Sequence, residues 1–490
     1  MDLRTVPYKW VVASIFVVGL FMDIMDTTIV NVALPTLSRE FGASGGTVEW
    51  VVLGYLLSLA VWIPASGWIG DRFGTKKTFL FALAAFTLAS ALCGQAHSLG
   101  ELIAFRVLQG VGGGMLTPVG TAMLFRAFPP VERAKASTIL MIPTVLAPAL
   151  GPIVGGWLVT DVSWRWIFYV NLPLGVLGFL IGAFLLKEHR EPTAGRFDVP
   201  GFVLSGAGLA LVLFALSQGP EIGWLTVQVI GTGLTGILLF ALLVYVELRV
   251  PHPMLALRLY KERMFRNANI ILTFSYGGFA GVLFLMPLFL QELRGLSALQ
   301  SGLTTFPQAV GVMISSQVVG RIYHRVGPRR LIFAGLIAVA VASVALVFVD
   351  LSTNLWWIRG ILFVRGMAMA ASFVPLQAAT YANISPSDTG RASAIYSTQR
   401  QVAAALGVAI LATVWISRTN ALTAGAANTA AVTAAKLGGY HDAFLVGAII
   451  AVIGALSALL IRDTDAASTM RPRQPKRDER AESDVVLASG

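Results

Sequence analysis

The chain has 490 residues, of which 56% are hydrophobic and only 12% are charged. Soluble domains carry about a quarter charged residues, so the composition excludes an ordinary soluble protein. The formal net charge of +11 would suggest a nucleic-acid ligand in a soluble protein. In a membrane protein, basic residues instead mark the loops on one side of the bilayer. We therefore expect the lipid bilayer as a partner and no nucleic acid.

Apolar runs of roughly 20 residues, the length of a membrane-spanning helix, occur fourteen times. Runs of this length indicate helices, because strands of a membrane barrel would be short and alternating. An even number of spans places both termini on one side, and most of the 36 Lys and Arg residues fall on that side. We expect this side to be the cytoplasmic face of a bacterial inner membrane. The runs start near Trp10, Trp50, Thr78, Gly100, Ala136, Ile167, Gly201, Val227, Asn269, Ser301, Leu331, Trp356, Ala392 and His441.

The first span, expected to end near Leu34, contains two acids, Asp23 and Asp26, one helical turn apart and therefore on one face. Ionisable residues within a span usually face a cavity or a partner and mark routes for ions or protons. Two neighbouring carboxyls can share a proton and titrate as a unit. We predict that this face carries a proton. For Asp23, the alternative is a water-exposed cavity residue without a role.

A basic loop follows the second span, GWIGDRFGTKK at 67–77, and recurs as GRIYHRVGPRR at 320–330. The second copy begins 253 residues later, at Gly320 against Gly67, and several span starts coincide under the same shift. Such a repeat indicates two duplicated halves, which is how many secondary transporters form one central site.

The first copy of this loop is a predicted conformational latch. Its acid lies beside helix ends, where it can cap a positive N-terminus or pair with an arginine. Either contact would hold one state and release when the halves move. The predicted latch residues are Gly67, Asp71, Arg72, Gly74 and Lys76.

Arg106 lies in the fourth span at a depth similar to that of Asp26. An arginine at this depth needs a counter-charge. We predict an ion pair between Arg106 and Asp26 or Asp23 that breaks and re-forms as a proton comes and goes. A static structural ion pair is the alternative, since buried pairs often only satisfy each other.

The layout along the chain is six spans, two inserted spans and six more. The tail is polar and of mixed charge, which predicts disorder. The expected units are a first bundle at 1–186, an inserted pair with its linkers at 187–262, a second bundle at 263–462 and a disordered cytoplasmic tail at 463–490.

The six-plus-six layout and the loop GWIGDRFGTKK at 67–77 together resemble the major facilitator superfamily. The inserted pair of spans resembles its fourteen-span drug/proton antiporter family (EmrB/QacA-like). Four further strings agree in order: DTTIVNVALP at 26–35, RVLQGVGGG at 106–114, GPIVGG at 151–156 and WRWIFYVNLPLG at 164–175. The resemblance covers nearly the whole chain except the tail. It implies an all-α polytopic membrane protein, a major-facilitator fold of two six-helix bundles plus two inserted helices, with 14 transmembrane helices.

The resemblance also implies roles for particular residues. Asp26 matches the acid of the family's first-span motif, which is implicated in coupling or cation binding, whereas Asp23 lies outside that motif. The string GPIVGG matches the family's antiporter motif and implies export rather than uptake. Its glycines would let helices approach closely and its proline would bend the helix, giving a pliable seam between the halves. The motif residues are Gly151, Pro152, Gly155 and Gly156.

The second half has lost both acids, because the positions 253 residues beyond them hold Tyr276 and Phe279. We therefore assign proton chemistry to the first half and aromatic surface, able to face a cationic or planar ligand, to the second. Packing is the alternative for these rings and for methionines that could line an adaptable pocket. The substrate-cavity candidates are Tyr276, Phe279, Met22 and Met25. Arg365 and Arg400 also lie within spans, and the sequence identifies no partner for them.

The predicted function is proton-coupled multidrug efflux by alternating access, with amphipathic, cationic or neutral compounds as substrates. The proton gradient would drive it without a cofactor or metal, and we expect a monomer. Neither a phosphate loop nor a metal or nucleophile constellation occurs in the sequence, which argues against an enzyme. The alternatives are a dedicated exporter of a metabolite, lipid or siderophore, and a non-transporting membrane sensor on the same fold.

Overall fold

The protein was analysed as a computed structural model that describes residues 7–43, 48, 50–191, 196–250, 253, 255–424 and 428–470. All regular secondary structure in these ranges is helical, as lipid requires of a chain that satisfies its own backbone hydrogen bonds. The long helices are α1 Tyr8–Phe41, α2 Trp50–Phe73, α3 Thr75–Gln95, α4 Leu99–Ala127, α5 Arg133–Trp157, α6 Asn171–Leu185, α7 Val199–Ile222, α8 Val227–Glu247, α9 Arg263–Leu288, α10 Ala298–Val326, α11 Pro328–Val347, α12 Leu355–Thr380, α13 Thr389–Thr423 and α14 Thr429–Ala458.

Each of the fourteen predicted spans corresponds to one of these helices. Thirteen are long and apolar enough to cross a membrane. The remaining helix, α10, has 29 residues but carries more polar side chains, several of them buried inside the protein. The all-α, fourteen-helix architecture is therefore confirmed.

The repeated loop is visible as a repeated backbone shape. Gly74 separates α2 from α3 with φ +104°, and Gly327 separates α10 from α11 with φ +86°. Both values lie in the region that favours glycine, so each copy turns the chain between consecutive spans with a single residue. The conserved turn explains why glycine persists in both copies of an otherwise diverged loop.

The helices pack as two bundles joined by specific pairs. In the first, α1 packs on α4, α5 and α6; in the second, α9 packs on α13 and α14, and α10 on α12. The bundles meet where α5 contacts α10 and α12, and where α13 contacts α2 and α4. The inserted helix α7 packs on its neighbour α8 and on both α2 and α13, so it covers one junction between the halves.

Both described chain ends lie at the same end of the bundle, which we call the terminal end; the other is the far end. The backbone N–H of Lys187, after α6, donates to the Tyr8 hydroxyl at the start of α1 over 3.1 Å. At the other chain end, the turn Ala467–Met470 packs on the turn Pro130–Glu132, and Glu132 forms an ion pair of 2.5 Å with Lys9 at the start of α1.

One prediction about an element boundary is confirmed and one is wrong. The first candidate membrane span covers Tyr8–Leu34, as expected, and its helix continues beyond the span to Phe41, so Asp26 lies near the middle of the helix. The tail begins with ordered turns at Asp463–Ala466 and Ala467–Met470, anchored by an ion pair of 2.5 Å between Asp465 and Arg263. Composition missed this contact because it depends on α9, which is distant in the sequence. Residues 471–490 lie outside the described part of the chain.

Candidate functional site

A fully buried polar network surrounds Asp26 between α1, α4 and α6. Arg106 Nη1 lies 2.5 Å from Asp26 Oδ2. Gln109 Nε2 and Asn171 Nδ2 donate to Asp26 Oδ1 over 2.9 and 3.1 Å. All four side chains have no exposed surface. Both carboxylate oxygens are thus occupied, and the network ties three helices of the first bundle together.

Arg106 is held by further contacts from the same bundle. Its Nε donates to the backbone oxygen of Val51 over 3.0 Å, and its Nη1 to Gln109 Oε1 over 2.7 Å. The guanidinium carbon lies 4.2 Å from the centre of the Tyr55 ring. A planar guanidinium with this many donors suits such a site, where a charge must be satisfied without water.

Asp23 has a separate set of partners. The Tyr55 hydroxyl donates to Asp23 Oδ1, and Thr117 Oγ1 donates to Oδ2 over 3.0 Å. Both donors are uncharged, in contrast to the arginine at Asp26. Asp23 keeps 8% exposure, whereas Asp26 has none. The acid outside the family motif is therefore the more accessible of the two.

The predicted sharing of a proton between the two acids stays a prediction. Among the described contacts, no hydrogen bond joins Asp23 to Asp26. Residues three apart on a helix differ by roughly 60° in direction, which is enough to aim the two side chains at different partners. Of the two pairings predicted for Arg106, the contact present is the one with Asp26.

A small cavity lies between the two bundles. Its accessible space is about 20 Å³, room for about one water molecule. The halves are thus contracted around it, and a drug-sized molecule would need it to widen. The lining residues come from α1, α4 and α5 on one side and α9, α12 and α13 on the other: Leu20, Thr117, Thr121, Leu140, Met141, Thr144, Tyr276, Phe373, Gln377, Tyr396 and Arg400.

The predicted cavity residues divide into two groups. Tyr276 lines the cavity, and Phe279 packs behind it with ring centres 5.5 Å apart. Met22 and Met25 are buried away from the cavity and are not among its lining residues. Their assignment to the cavity is wrong for the cavity seen here, which α1 lines with Leu20, while Met22 packs among buried apolar side chains and Met25 is buried as well.

The Asp71 carboxylate links the two halves at the terminal end. Arg126 Nη2 lies 2.9 Å from Asp71 Oδ1, and Arg126 Nε donates to the backbone oxygen of Pro386 over 3.3 Å. A side chain built on Gly390, in the first turn of α13, would lie 2.8 Å from the same Asp71 oxygen. The acid thus has an arginine and a positive helix N-terminus beside it, the two contacts expected from the sequence.

The other predicted latch residues have different surroundings. Gly74 forms the turn already described, and Arg72 is exposed. Lys76 Nζ donates to the backbone oxygen of Ala183 over 2.7 Å, a contact within the first bundle. Gly67 lies at the junction, since a Cβ there would lie 2.9 Å from the Gly390 oxygen.

Further contacts close the terminal end between the halves. Arg133 Nη1 donates to the backbone oxygen of Tyr381, and the Phe125 ring stacks on the Tyr381 ring at 4.4 Å. Ser393 Oγ donates to the Pro118 oxygen over 2.7 Å. These residues all lie in the terminal-side parts of their helices. The described contacts therefore seal this end of the central cavity.

Gly67→Ala is expected to weaken this closure, because its methyl group must push against a backbone carbonyl. Overpacking of this kind costs about 1 to 3 kcal/mol. We expect roughly tenfold faster maleimide labelling, from the terminal side, of a cysteine introduced at Ser393 in a Cys93→Ala background. Gly156→Ala is the matched control, since a Cβ there meets nothing within 4 Å. Equal labelling in both variants would contradict the closure.

The antiporter-motif glycines occupy a different seam from the predicted one. A Cβ on Gly155 would lie 2.8 Å from Ile29 Cγ1, and one on Gly151 would lie 2.8 Å from Thr28 Cβ. Both contacts are with α1 of the same bundle, so the glycines permit close packing of α5 on α1 rather than contact between halves. Gly156 has open space around it, and the side chain of Pro152 lies outside the described part of the structure.

The two arginines without a predicted partner lie in the second bundle. Arg365 is buried and donates to Gln308 Oε1 over 3.2 Å and to the Gly278 oxygen over 3.4 Å. Arg400 lines the cavity, with its guanidinium carbon 5.7 Å from the centre of the Tyr276 ring. Among the described residues, no carboxylate lies within 4.0 Å of either arginine.

Sequence reasoning missed the uncharged members of the site. Gln109 and Asn171 fall inside the strings at 106–114 and 164–175, but an amide in a span does not reveal its partner. Tyr55 and Thr117 carried no signal at all. For metals, the described residues contain no group of three His, Cys, Asp or Glu side chains able to hold an ion.

Comparisons with known proteins agree with this architecture. The chain matches the Major Facilitator Superfamily over residues 16–408. It is 36% identical over 403 residues to the Multidrug resistance protein B homolog of Mycobacterium tuberculosis, covering 81% of this chain and 75% of that protein. It is 32% identical over 405 residues to the Multidrug export protein EmrB of Escherichia coli, covering 81% and 78%. The human organic anion transporter MFSD10 (TETRAN) has the same fold, with TM-score 0.65 at 15% identity, covering 92% of this chain and 100% of that one.

Proposed function

This chain belongs to the Major Facilitator Superfamily, among relatives named as multidrug resistance and export proteins, and from that premise we propose that it is a proton-coupled antiporter. It exports amphipathic compounds, cationic or neutral in net charge, in exchange for protons moving inward. The membrane is a bacterial inner membrane, and both chain ends are cytoplasmic. The terminal end is then the cytoplasmic end, which is closed here.

One observation carries the proton-coupling proposal. Asp23 is a carboxylate beside a cavity between two halves, and its hydrogen-bond donors are the uncharged Tyr55 and Thr117. Thr117 also lines the cavity, so the carboxyl is one side chain away from the substrate space. Intramembrane acids in such positions characteristically mark proton routes.

The two acids then have different roles. The ion pair of Asp26 with Arg106 holds α1 and α4 together, and its full burial supports a pair that persists or changes only when the bundle itself moves. Asp23 exchanges the proton with the cavity. Arg106 modulates Asp26 directly through the ion pair, and Asp23 through Tyr55, whose ring contacts the guanidinium and whose hydroxyl donates to Asp23.

Alternating access follows from the contacts at the cytoplasmic end. A proton on Asp23 removes its negative charge, and the substrate it held leaves through the far end. When the contacts of Asp71, Arg126 and Arg133 with the second half release, the cavity opens inward. Breaking and re-forming a small set of interface contacts is a known means of rigid-body switching.

A dye-accumulation screen tests the proposal. Cells that lack their own exporters and express this chain should hold less of several cationic and neutral dyes than cells without it, and a protonophore should abolish the difference. A difference that survives the protonophore while ATP is present would contradict proton coupling. Altered envelope lipids with unchanged dye levels would favour a dedicated lipid exporter. A phenotype unaffected by Asp23→Asn, the variant that removes the proposed proton-exchanging group, would favour a sensor.

A further inference from the structure

Two charged side chains of opposite sign approach the central cavity from opposite halves. Arg400, on α13, lines it directly. Asp23, on α1, reaches it through Thr117 and keeps a small exposed fraction of 8%. The two charges attract each other across the cavity. Arg400 is the charged member of the cavity lining itself, so its chemistry bears directly on what the cavity accepts.

Arg400 lacks the kind of partner that Arg106, the buried arginine of the first half, has. Arg106 has the carboxylate of Asp26 at 2.5 Å. Arg400 has the Tyr276 ring, with 5.7 Å between guanidinium carbon and ring centre, and no described carboxylate within 4.0 Å. A cation within a membrane span ordinarily faces a partner or a route for a ligand. Each Asp23 oxygen has one described donor, Tyr55 or Thr117, which leaves each oxygen able to accept a further hydrogen bond.

A second polar group in the cavity also lacks a partner. Gln377 lines the cavity and is 5% exposed, and its Oε1 has no hydrogen bond within the described structure. Buried side-chain oxygens nearly always have a donor, so this one is left for a water molecule or a ligand group in the cavity to satisfy. An amide oxygen accepts from N–H or O–H groups. The cavity thus offers a guanidinium donor and an amide acceptor together.

From these groups we infer that the cavity takes amphipathic zwitterions: the acidic group of the substrate binds Arg400, its amine lies toward Asp23 and Gln377, and its rings pack on Tyr276 and Phe373. A guanidinium binds a carboxylate through two parallel hydrogen bonds, which gives geometric selectivity. As the halves separate, Asp23 and Arg400 move apart, and the ligand then places its positive group near Asp23 and its negative group near Arg400. This inference rests on the proposed export function and names its substrate class.

Two dyes that differ only in the acid group provide the probe: rhodamine 110, a zwitterion with N–H donors, and its methyl ester rhodamine 123, a cation. Their initial uptake is measured in everted membrane vesicles under an imposed pH gradient. Wild type should transport both. Arg400→Gln should lower transport of the acid roughly tenfold, as expected for loss of a charge-assisted contact, and leave the ester within about twofold. Arg400→Lys, which keeps the charge and loses the paired geometry, should fall between.

Arg418→Gln is the matched control, because Arg418 lies on the same helix and pairs with Asp442 at the surface. It should leave the ratio of acid to ester transport unchanged. An unchanged ratio in Arg400→Gln, or equal loss of both dyes in both Arg400 variants, would overturn the inference. Wild-type transport of the ester without the acid would overturn it too while leaving the export function standing. Transport of neither dye by wild type would also overturn the inference, and the export function would then stand or fall on the dye-accumulation screen.

Discussion

Asp23→Asn is expected to abolish gradient-driven export while leaving the protein folded. An asparagine cannot carry the exchanged proton, but its amide oxygen can still accept from Tyr55 or Thr117, and its amide group can donate to the other hydroxyl. The free energy of unfolding should therefore change by less than about 2 kcal/mol. Dye uptake into proteoliposomes under an imposed pH gradient should fall to the level of protein-free liposomes.

Asp442→Asn serves as the control for this prediction, since Asp442 is an acid at the surface paired with Arg418. It should transport like wild type. The melting temperature of each purified variant in detergent separates loss of coupling from loss of fold. If Asp23→Asn still takes up dye under the gradient, Asp23 is not the proton-exchanging group.

Asp26→Asn is expected to act mainly on stability. It leaves the Arg106 charge buried without its counter-charge, and breaking a buried pair from one side costs about 3 to 5 kcal/mol. Gln109 and Asn171 would also lose a charged acceptor, although an amide oxygen at the Oδ1 position could still accept from both of them. The expected readout is a much lower melting temperature and little folded protein in the membrane.

The pairing itself is tested by a double variant. Asp26→Asn with Arg106→Gln replaces the ion pair by two amides, which need no counter-charge, so it should recover much of the stability lost in the single variant. Glu40→Gln, at the exposed pair with Arg165, should melt like wild type, because surface ion pairs contribute little. A double variant less stable than Asp26→Asn alone would show that Arg106 does not depend on the Asp26 charge.

The sequence was sufficient for the helices and for one long-range contact. Apolar run length identified all fourteen spans, because the thickness of a bilayer fixes how long such a run must be. Counting residues from the ends of the first and fourth spans placed Asp26 and Arg106 at a similar depth in the membrane. This works because every span crosses the same bilayer with a fixed rise per residue. The turn at Gly74 and Gly327 was visible in the sequence as a repeated glycine, because a positive φ at that position favours glycine over other residues.

The lateral arrangement of the helices could not be predicted in the same way. Depth says nothing about which side of a helix faces a neighbour, so Met22 and Met25 were assigned to a cavity that they do not line. Uncharged partners such as Tyr55 and Asn171 gave no signal, since they are 32 and 145 residues from the acids they contact. Packing alone determines those neighbours.

The most direct test of the account follows the proton itself. A pH gradient is imposed across the membrane of everted vesicles that contain the protein, and a pH-sensitive dye reports it. A transported cationic or zwitterionic compound is then added. The compound is expected to dissipate the gradient in wild-type vesicles and to leave it unchanged in Asp23→Asn vesicles. Transport of the compound by wild type with no change in the gradient would contradict this expectation.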